Sequence, residues 1–429
     1  MWWEIKDHLS IVDNKLYIAN IQVSEIARRF GTPLFIYNAN RVAEKFRFFF
    51  RALKRYIPQT VRIHYSMKAN NNPKILEALR YEGSWLDCVS PEEVEYAIEN
   101  GFSPERILFT GVSVPTEDLK KVLGLGVRVN VDSISQIKKI SKIRKDIPIS
   151  LRIDPGISGV GHSWRTITAG KEAHNVPIKF SIPLDQIKNA VNIAKEEDLK
   201  IVGIHMHVGS NWKTEEEVKE FLQASRILVK QAKEVENMIS DKLEFINFGG
   251  GPGIRYSEKE SDFPIETYSK GLSEILNEEN YDVQNVAFEP GRYLVGDAGI
   301  LVVKVVDIKE RYGDIIVGVD SGFNHLIRPV LYGSYHEIIN CDNVNGNDKK
   351  SVTIVGNLCE TGDVFAVRRE IPMPKEDDIL AIHNAGAYGY VMASRYNMRK
   401  LPKEVVIYKS RLTIYEDVYN KRIVMEEII

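Results

Sequence analysis

Four groups of polar or glycine residues lie where apolar segments of the chain end. They are Lys68 after segment 61–66, His205 and His207 at the close of segment 201–206, Gly249–Gly251 after segment 244–248, and Glu289 with Arg292 at the end of segment 285–289. In parallel α/β folds, catalytic and binding side chains collect at the carboxyl ends of the strands. The repeated placement therefore predicts that the four groups form one site.

Lys68 and the glycine run carry the most specific chemistry. A lone lysine is most often a solvated surface residue, but an amine desolvated at a strand end can form a Schiff base. The glycine-rich stretch 249–253 fits a tight turn, and its exposed N–H groups also fit a phosphate. Together they suggest pyridoxal phosphate, held as an imine on Lys68. Glu289 would then keep the pyridine nitrogen protonated, and His207 would stack on the ring.

The two histidines also fit a different site. Residues i and i+2 of a strand face the same side, as two metal ligands would, so His205 and His207 are compatible with a metal-dependent barrel hydrolase. The remaining seven histidines show no second spaced cluster. We therefore expect no metal site and keep the hydrolase as an alternative.

The last third of the chain holds a second set of candidates. Cys359 and Glu360 lie in a glycine-flanked loop, and Tyr388 follows a strand-like segment. A lone cysteine is more often a small buried apolar residue than a proton donor. Arg328 with Tyr332 offers a guanidinium and a phenol, which commonly bind a carboxylate.

The elements that position these residues alternate between strand-like and helix-like segments. Helical spacing is clearest from Thr214 to Ile239, and Ser90 begins another helix as its N-cap. The strand-like segments are 34–37, 61–66, 107–110, 127–131, 149–153, 201–206, 244–248 and 285–289, with 85–89 as a possible further one. About eight such units over about 250 residues predict an α/β fold with a (β/α)8 barrel, although a doubly wound sheet gives the same local pattern.

A second, mainly β domain follows the barrel. Its predicted strands are 300–308, 315–320, 351–355, 364–369, 379–383 and 404–416. We expect a β-sandwich or Greek-key barrel, completed by the N-terminal strand-like segment 16–22. The predicted division is residues 33–292 for the barrel that binds pyridoxal phosphate, and residues 1–32 with 293–429 for the mainly β domain.

Composition excludes several classes of protein. The 429 residues carry 57 Lys and Arg against 59 Asp and Glu, so no overall field attracts nucleic acid or an anionic membrane. No apolar run approaches the roughly 18 residues that span a bilayer. Three cysteines and a charged N-terminus favour a reducing, cytoplasmic location.

The motifs occur in an order that is specific to one family. They are GTPLFIY (31–37), YSMKAN (65–70), HMHVGS (205–210), NFGGG (247–251), EPGR (289–292), IRPVLYGSYH (327–336), CETGD (359–363) and GAYGYVMASRYN (386–397). In this order the chain resembles the diaminopimelate decarboxylases, pyridoxal-phosphate enzymes that share the alanine-racemase fold. The resemblance extends from about Leu16 to Val406.

The resemblance implies a role for each matching residue. Lys68 and Cys359 would be catalytic, with Lys68 holding the cofactor and Cys359 reprotonating the α-carbon. The cofactor would be bound by Lys68, His207, Ser210, Gly250, Gly251, Glu289, Arg292 and Tyr388. The substrate would be bound by Arg292, Arg328, Tyr332, Glu360 and Tyr388. In the family Cys359 and Glu360 reach the site from a partner subunit, which implies a homodimer with two shared sites.

The implied reaction is the decarboxylation of meso-diaminopimelate at its D centre to L-lysine, the last step of lysine biosynthesis. An ornithine, lysine or arginine decarboxylase of the same fold is the main alternative, but such relatives usually carry Asp where this chain has Glu360. A non-catalytic protein that binds pyridoxal phosphate is less compatible with Cys359, Glu360 and Tyr388.

The sequence departs from the family pattern around the expected substrate pocket. The family usually has two glycines where Pro91 and Glu92 stand, and an Asn-Asn-Lys sequence near residues 112–114. Ser181 replaces an expected glycine, and the stretch 159–176 is unusually long. We expect these changes to bear on substrate preference rather than on the cofactor.

Overall fold

The chain begins with a small antiparallel sheet. The computed structural model describes residues 1–157, 163–418 and 421–428. The first elements are β1 (Leu9–Val12), β2 (Lys15–Ile18), β3 (Ile21–Gln22) and helix α1 (Val23–Phe30). These strands pair in the order β1-β2-β3. The sheet is attached to the second domain, because the Leu16 N–H donates to the Cys341 carbonyl at 2.8 Å.

The next strand, β4 (Leu34–Asn38), is not part of the barrel, and the expectation for segment 34–37 is therefore wrong. It pairs antiparallel with residues 299–302 and parallel with residues 403–407, both in the second domain. All five residues of β4 are buried. A short, fully buried strand has the same sequence pattern in either kind of sheet, so only the tertiary pairing distinguishes them. It is β4, rather than segment 16–22, that joins the main sheet of the second domain.

Eight parallel strands, each followed by helical structure, form the barrel. The elements are α2 (Ala39–Tyr56), β5 (Thr60–Ser66), α3 (Pro73–Tyr81), β6 (Trp85–Cys88), α4 (Pro91–Glu99), β7 (Ile107–Phe109), α5 (Thr116–Gly124), β8 (Arg128–Val131), α6 (Ile134–Ile143), β9 (Pro148–Asp154), β10 (Glu172–Ala173), β11 (Val176–Pro177), β12 (Ile182–Pro183), α7 (Ile187–Glu196), β13 (Lys200–His205), α8 (Glu215–Ile239), β14 (Phe245–Asn247), α9 (Ile265–Glu278), β15 (Asn285–Phe288) and α10 (Arg292–Val295). The pairing order β5-β6-β7-β8-β9-β13-β14-β15 closes where β15 meets β5, with Asn285 opposite Thr60. The possible strand at 85–89 is thus real, and it supplies the eighth position that segment 34–37 does not.

Local capping explains where the barrel helices begin. Thr214 and Glu217 form a capping box at the start of α8, in which each side chain accepts from the other residue's backbone N–H. Ser90 caps α4 by accepting from the Glu93 N–H, and Pro91 occupies the first helical position. The glutamate at the third helical position accepts from Val89 N–H instead of closing the box on Ser90.

The second domain, over its described residues, is a mixed sheet of ten strands. Its elements are β16 (Gly299–Arg311), β17 (Asp314–Val319), α11 (Arg328–Tyr332), β18 (Ile338–Asn340), β19 (Lys349–Val355), β20 (Val364–Pro372), β21 (Ile379–Ile382), β22 (Lys403–Tyr408), β23 (Arg411–Val418) and β24 (Lys421–Ile428). The strand order is β20-β19-β17-β16-β4-β22-β23-β24, with β21 also beside β16 and β18 beside β21. The predicted fold class, a TIM-type barrel with a second, largely β domain, is confirmed. The domain division at residues 33 and 292 stays a proposal. Strand β4 lies on the barrel side of that division in the sequence but pairs with strands of the second domain.

Among the described residues, no helix combines the length and the apolar character that crossing a membrane requires.

The segment between β9 and α7 contains two of the expected departures from the family pattern, the stretch 159–176 and Ser181. Residues 159–162 of the long stretch 159–176 lie outside the described residues. Ser181 has a φ of 73°, a left-handed conformation that favours glycine. Its N–H donates to Asp132 Oδ1 at 3.0 Å, and its buried hydroxyl has no hydrogen-bond partner among the described residues. The backbone at this position therefore favours the glycine that the resemblance leads us to expect.

We predict that Ser181→Gly stabilises the protein. The substitution relieves a left-handed non-glycine residue, a strain of about 1–2 kcal/mol, and removes an unpaired buried hydroxyl. The extra flexibility of glycine in the unfolded chain offsets about 0.4–1 kcal/mol of this gain. We expect a net increase of about 1 kcal/mol in the free energy of unfolding, measured as a rise in the thermal midpoint.

Ser133→Gly is the matched control. Ser133 has a φ of −159° and caps α6 by accepting from the Gln136 N–H. Glycine there should lower the thermal midpoint slightly, because it loses the cap without relieving strain. A Ser181→Gly protein that is no more stable than the wild type would show that the left-handed backbone at this position carries no cost.

Candidate active site

Lys68 lies in a short 3-10 helix, Met67–Ala69, directly after β5. Its Nζ is 2.5 Å from Asp87 Oδ2, a carboxylate on β6 that is 1% exposed. Ser66 Oγ donates to the same oxygen at 3.0 Å. The side chain of Lys68 keeps 38% of its surface exposed, so its amine is held by Asp87 and remains open to the cavity above it.

The charges around Lys68 favour its protonated form. Burial acts to lower the pKa of the amine, but Asp87, Tyr388 and Glu289 outweigh it and raise the pKa above its usual value. In the protein without cofactor, Lys68 and Asp87 are therefore an ion pair. Asp87 was not among the predicted site residues.

Glu289 follows β15 and is held inside the carboxyl end of the barrel. Asn247 Nδ2 donates to its Oε1 at 2.8 Å, and His205 Nε2 is 3.0 Å from its Oε2. Burial raises the pKa of Glu289, while Lys68, Asn247 and Arg152 act in the opposite direction. Burial and Arg152 lower the pKa of His205, so the imidazole is neutral and donates its Nε2–H to the carboxylate.

The glycine run passes closely beside the second histidine. The Gly250 N–H donates to His207 Nδ1 at 3.1 Å, which leaves the ring proton on Nε2, and burial lowers the pKa of this imidazole. Gly249 and Gly251 have φ values of 71° and 126°. A Cβ on Gly250 would lie 2.2 Å from the Glu289 carbonyl oxygen, so only glycine allows this approach.

Two buried arginines meet at one tyrosine. Arg292 Nη1 donates to the Tyr256 hydroxyl at 2.7 Å, and Arg328 Nη2 donates to the same hydroxyl at 3.3 Å. Arg292 also lies 3.4 Å from Ser210 Oγ and over the ring of Tyr388. Arg328 donates to Ser334 Oγ and faces the ring of Tyr332. Tyr388 is held next to the lysine, because its N–H donates to the Ala69 carbonyl.

A cavity of about 360 Å³ opens above Lys68. Its lining includes Asp87, Arg152, His207 and Glu289. Thr168 and Phe180, from the segment between β9 and α7, also face it, and Thr168 Oγ1 donates to the His207 carbonyl at 2.8 Å. The atypical segment therefore does border the site, as the sequence predicts.

The residues present fit pyridoxal phosphate. The cavity has the size of a small-ligand pocket, with an amine at one wall, a buried carboxylate at another and an imidazole beside them. Several buried polar atoms in this part of the described structure have no protein partner, namely Asp87 Oδ1, Arg152 Nε and Arg292 Nε. Unpaired buried polar groups of this kind are costly unless a ligand or water satisfies them.

The structure does not bring Cys359 and Glu360 into this cavity. Cys359 is an exposed free thiol whose Sγ accepts from Asn397 Nδ2 at 3.3 Å. Glu360 Oε1 accepts from the Tyr396 hydroxyl at 2.5 Å. Both residues are thus presented on the surface of the second domain. The other ten predicted site residues, which include Lys68, Glu289 and Arg292, are connected by the contacts described above.

The sequence reasoning missed several residues that the fold places here. Asp87, Asn247, Arg152 and Tyr256 were not singled out, and His205 was considered only as a metal ligand. Asp87, Asn247 and Arg152 lie on barrel strands, as do the residues that were found, so their strand positions were a usable signal. Tyr256 follows the glycine run in a loop and offered no signal of its own. In the described parts of the chain, the structure shows no group of three or more His, Cys, Asp or Glu side chains suited to a metal.

Comparisons with known proteins identify the family of this chain. The model of the family described as "Pyridoxal-dependent decarboxylase, pyridoxal binding domain" matches residues 40–296. A diaminopimelate decarboxylase of Methanothermobacter thermautotrophicus is 36% identical over 94% of this chain and 92% of its own length. One from Zymomonas mobilis is 33% identical over 93% of each chain.

Solved structures show the same likeness. Diaminopimelate decarboxylase of M. jannaschii, determined in co-complex with L-lysine, superposes with a TM-score of 0.85 at 29% identity, over 94% of this chain and 93% of that one. The chain belongs to the pyridoxal-dependent decarboxylase family, among the relatives named diaminopimelate decarboxylase. The resemblance inferred from the ordered motifs is thereby confirmed, and so is the predicted cofactor.

We predict that Asp87→Asn shifts cofactor uptake to lower pH. A free amine is needed to form a Schiff base, and Asp87 holds Lys68 in its charged form because it raises the pKa of the amine. Without the carboxylate, the amine becomes neutral at a lower pH. The measurement is the rate at which protein stripped of cofactor regains visible absorbance with pyridoxal phosphate, as a function of pH.

Glu77→Gln is the control for this experiment. Glu77 pairs with Lys74 at 3.0 Å outside the cavity, so the variant removes a carboxylate from a different lysine. Its uptake curve should coincide with that of the wild type. An Asp87→Asn curve that also coincides with the wild type would show that Asp87 does not control the charge of Lys68.

Proposed function

We propose that this protein decarboxylates meso-diaminopimelate at its D centre to give L-lysine and carbon dioxide. The naming of its relatives over more than nine tenths of the chain supports this activity. The observation that carries the choice of substrate is Arg328, a guanidinium that is 1% exposed and donates to two neutral hydroxyls.

A buried cation with only neutral partners favours an anionic ligand. Burial lowers the pKa of Arg328 to about 10, and the neighbouring Arg292 acts in the same direction, so the two positive charges destabilise each other. A carboxylate bound by both groups would relieve this repulsion through charge-assisted hydrogen bonds. Diaminopimelate carries a second carboxylate far from the reacting centre, whereas ornithine, lysine and arginine do not.

The residues around Lys68 have distinct tasks in the proposed reaction. Pyridoxal phosphate, when bound, supplies an aldehyde for the substrate amine and a ring that accepts the electrons left by the departing carboxylate. Lys68 would provide the amine that holds it, and Ser210, Gly251 and Tyr388 would provide donors for its phosphate. Gly250 would line the same side of the site, with its N–H already donating to His207 Nδ1.

Glu289 is suited to share a proton with the pyridine nitrogen. Its burial raises the pKa of the carboxyl group, so it binds a proton more firmly than an exposed glutamate would. Asn247 and the neutral His205 fix its two oxygens, and the carboxylate cannot turn away. His207 is held as a neutral imidazole by the Gly250 N–H and forms one wall of the cavity.

We further propose a homodimer in which Cys359 and Glu360 complete the site of the partner subunit. Both residues lie on an exposed loop outside the cavity of their own chain. Cys359 would give the Sγ proton to the α-carbon, and Glu360 would receive the distal amino group. The cytoplasmic location stays a prediction, which the three free thiols support.

We predict that the purified protein releases carbon dioxide from meso-diaminopimelate in preference to lysine, ornithine or arginine. The paired guanidinium groups should make the distal carboxylate the main source of discrimination. A site built to pair a buried charge rejects analogues without the partner by about 10⁴-fold or more. Carbon dioxide release is measured with each amino acid at matched concentrations, and the product is identified as L-lysine.

Two outcomes would contradict this proposal. Turnover of ornithine or lysine with none of diaminopimelate would assign the protein to the other branch of the family. Visible cofactor absorbance with no release of carbon dioxide from any of the four amino acids would favour a non-catalytic binding protein.

We predict that two inactive variants restore activity when their subunits are mixed. Lys68→Ala lacks the cofactor lysine, and Cys359→Ala lacks the proton donor, but a mixed dimer contains one site with both residues intact. After equimolar subunit exchange, about a quarter of all sites should be active by random pairing. The recovered turnover is measured against each variant alone.

Cys359→Ala should keep its visible absorbance, because the thiol lies outside the cavity of its own subunit. A mixture of the Lys68→Ala and Glu289→Gln variants is the control. Both residues belong to the cavity of the same subunit, so every site in a mixed dimer still lacks one of them. This mixture should therefore recover no activity above that of the Glu289→Gln variant alone. Absence of recovery after verified exchange would place Cys359 in its own subunit's site or outside the mechanism.

A further inference from the structure

Tyr256 connects the two arginines on which the choice of substrate depends. Its hydroxyl is 2.7 Å from Arg292 Nη1 and 3.3 Å from Arg328 Nη2, and the residue is 4% exposed. The two arginines come from different domains, Arg292 from the end of the barrel and Arg328 from α11 of the second domain. One hydroxyl therefore joins both halves of the carboxylate-binding region.

The surroundings of Tyr256 hold it rigidly. The Tyr256 N–H donates to Glu260 Oε2 at 2.7 Å, and Glu260 Oε1 is paired with Lys213 at 2.6 Å. The edge of the His336 ring packs against the Tyr256 ring at 5.5 Å and 83°. Backbone and ring are thus both fixed, and the hydroxyl has little freedom to leave the arginines.

We propose that Tyr256 is a positioning residue for the substrate carboxylate, whose hydroxyl fixes the separation of the Arg292 and Arg328 guanidinium groups. This inference rests on the proposed function, because it takes both arginines as substrate ligands. The hydroxyl oxygen accepts from both cations, as one carboxylate oxygen would. It therefore keeps them at a spacing ready for the substrate instead of letting their charges push them apart.

The charges that face Tyr256 should make substrate binding depend on pH. Arg292, Arg328 and Lys213 present positive charge to it, and Glu260 reaches its backbone. His336 is neutral at working pH, since burial and Arg328 lower its pKa to about 3. Burial opposes ionisation of the phenol, but the two arginines outweigh it and lower the pKa of Tyr256 below its usual value.

Ionisation of Tyr256 at high pH should weaken substrate binding. As the pH rises through the lowered pKa, the phenol becomes a phenolate that neutralises both arginines and competes with the substrate carboxylate. The ratio kcat/KM of the wild type should then fall on the alkaline side. Tyr256→Phe has no phenol to ionise, and it also lacks the phenolate that raises the pKa of Arg328, which burial lowers to about 10. The alkaline limb of this variant should therefore report the titration of Arg328 alone and differ from that of the wild type.

The test compares the wild-type and Tyr256→Phe holoenzymes. We expect the KM for meso-diaminopimelate to rise by about tenfold with kcat changed by less than about twofold, because the hydroxyl acts on binding and not on the reacting atoms. Tyr56→Phe is the matched control. It removes an exposed hydroxyl that donates to Glu266, and its KM and pH profile should equal those of the wild type.

Binding of two probes separates this inference from the proposed function. Pimelate carries the carboxylates without amines, and cadaverine carries the amines without carboxylates. Calorimetric titration of the holoenzymes, which needs no turnover, should show weaker pimelate binding in Tyr256→Phe and unchanged cadaverine binding. A wild type that binds pimelate but does not decarboxylate diaminopimelate would contradict the proposed function alone.

Equal KM values, equal pimelate affinity and equal alkaline limbs in the two proteins would overturn the inference. If Tyr256→Phe loses its visible absorbance or its circular dichroism, Glu260→Gln decides instead. This variant weakens the support of the Tyr256 backbone and leaves the hydroxyl in place. It should raise the KM for meso-diaminopimelate and weaken pimelate binding, each by a smaller factor than expected for Tyr256→Phe. An unchanged KM would then overturn the inference.

Discussion

The burial of Glu289 is the constraint on which the rest of the site depends. A carboxylate inside a barrel is stable only if both oxygens are satisfied, and here Asn247 and His205 bond to them. The backbone on either side is fixed as well, because the Glu289 N–H donates to the Gly249 carbonyl and the Ser66 N–H donates to the Pro290 carbonyl. The same contacts that hold the carboxylate therefore set the path of the glycine run and the start of the segment that carries Lys68.

Much of this arrangement was accessible from the sequence. Lys68, His207 and Glu289 lie at strand ends, and the periodicity of buried strands and helices places those ends at one face of a barrel. The strand at 34–38 was misassigned because five buried residues in a row do not reveal which sheet they join. Only the pairing of Leu34–Asn38 with segments about 260 and 370 residues further along the chain decides it, and such contacts have no local signal.

The remaining gaps have similar causes. Asp87 and Tyr256 are single polar residues whose importance comes from partners distant in sequence, Lys68 for one and the two arginines for the other. Ser181 is different, since the resemblance to the family led us to expect glycine at this position but could not give its φ of 73°. Cys359 and Glu360 were identified by motif alone. The structure places them on an exposed loop outside the cavity, and the catalytic role that we propose for them requires a second copy of the chain.

Strand β4 also affects the order in which the protein can form during its synthesis. It lies between β16 and β22, so the sheet of the second domain lacks an interior strand until a segment made near the start of translation returns to it. The chain must therefore keep residues 34–38 available while the whole barrel emerges from the ribosome. A fragment that begins after the barrel would expose two unpaired strand edges, a common cause of aggregation. The loop that carries Cys359 lies between β19 and β20 of that sheet, so the part of the site that we propose to serve a partner subunit also depends on β4 joining it.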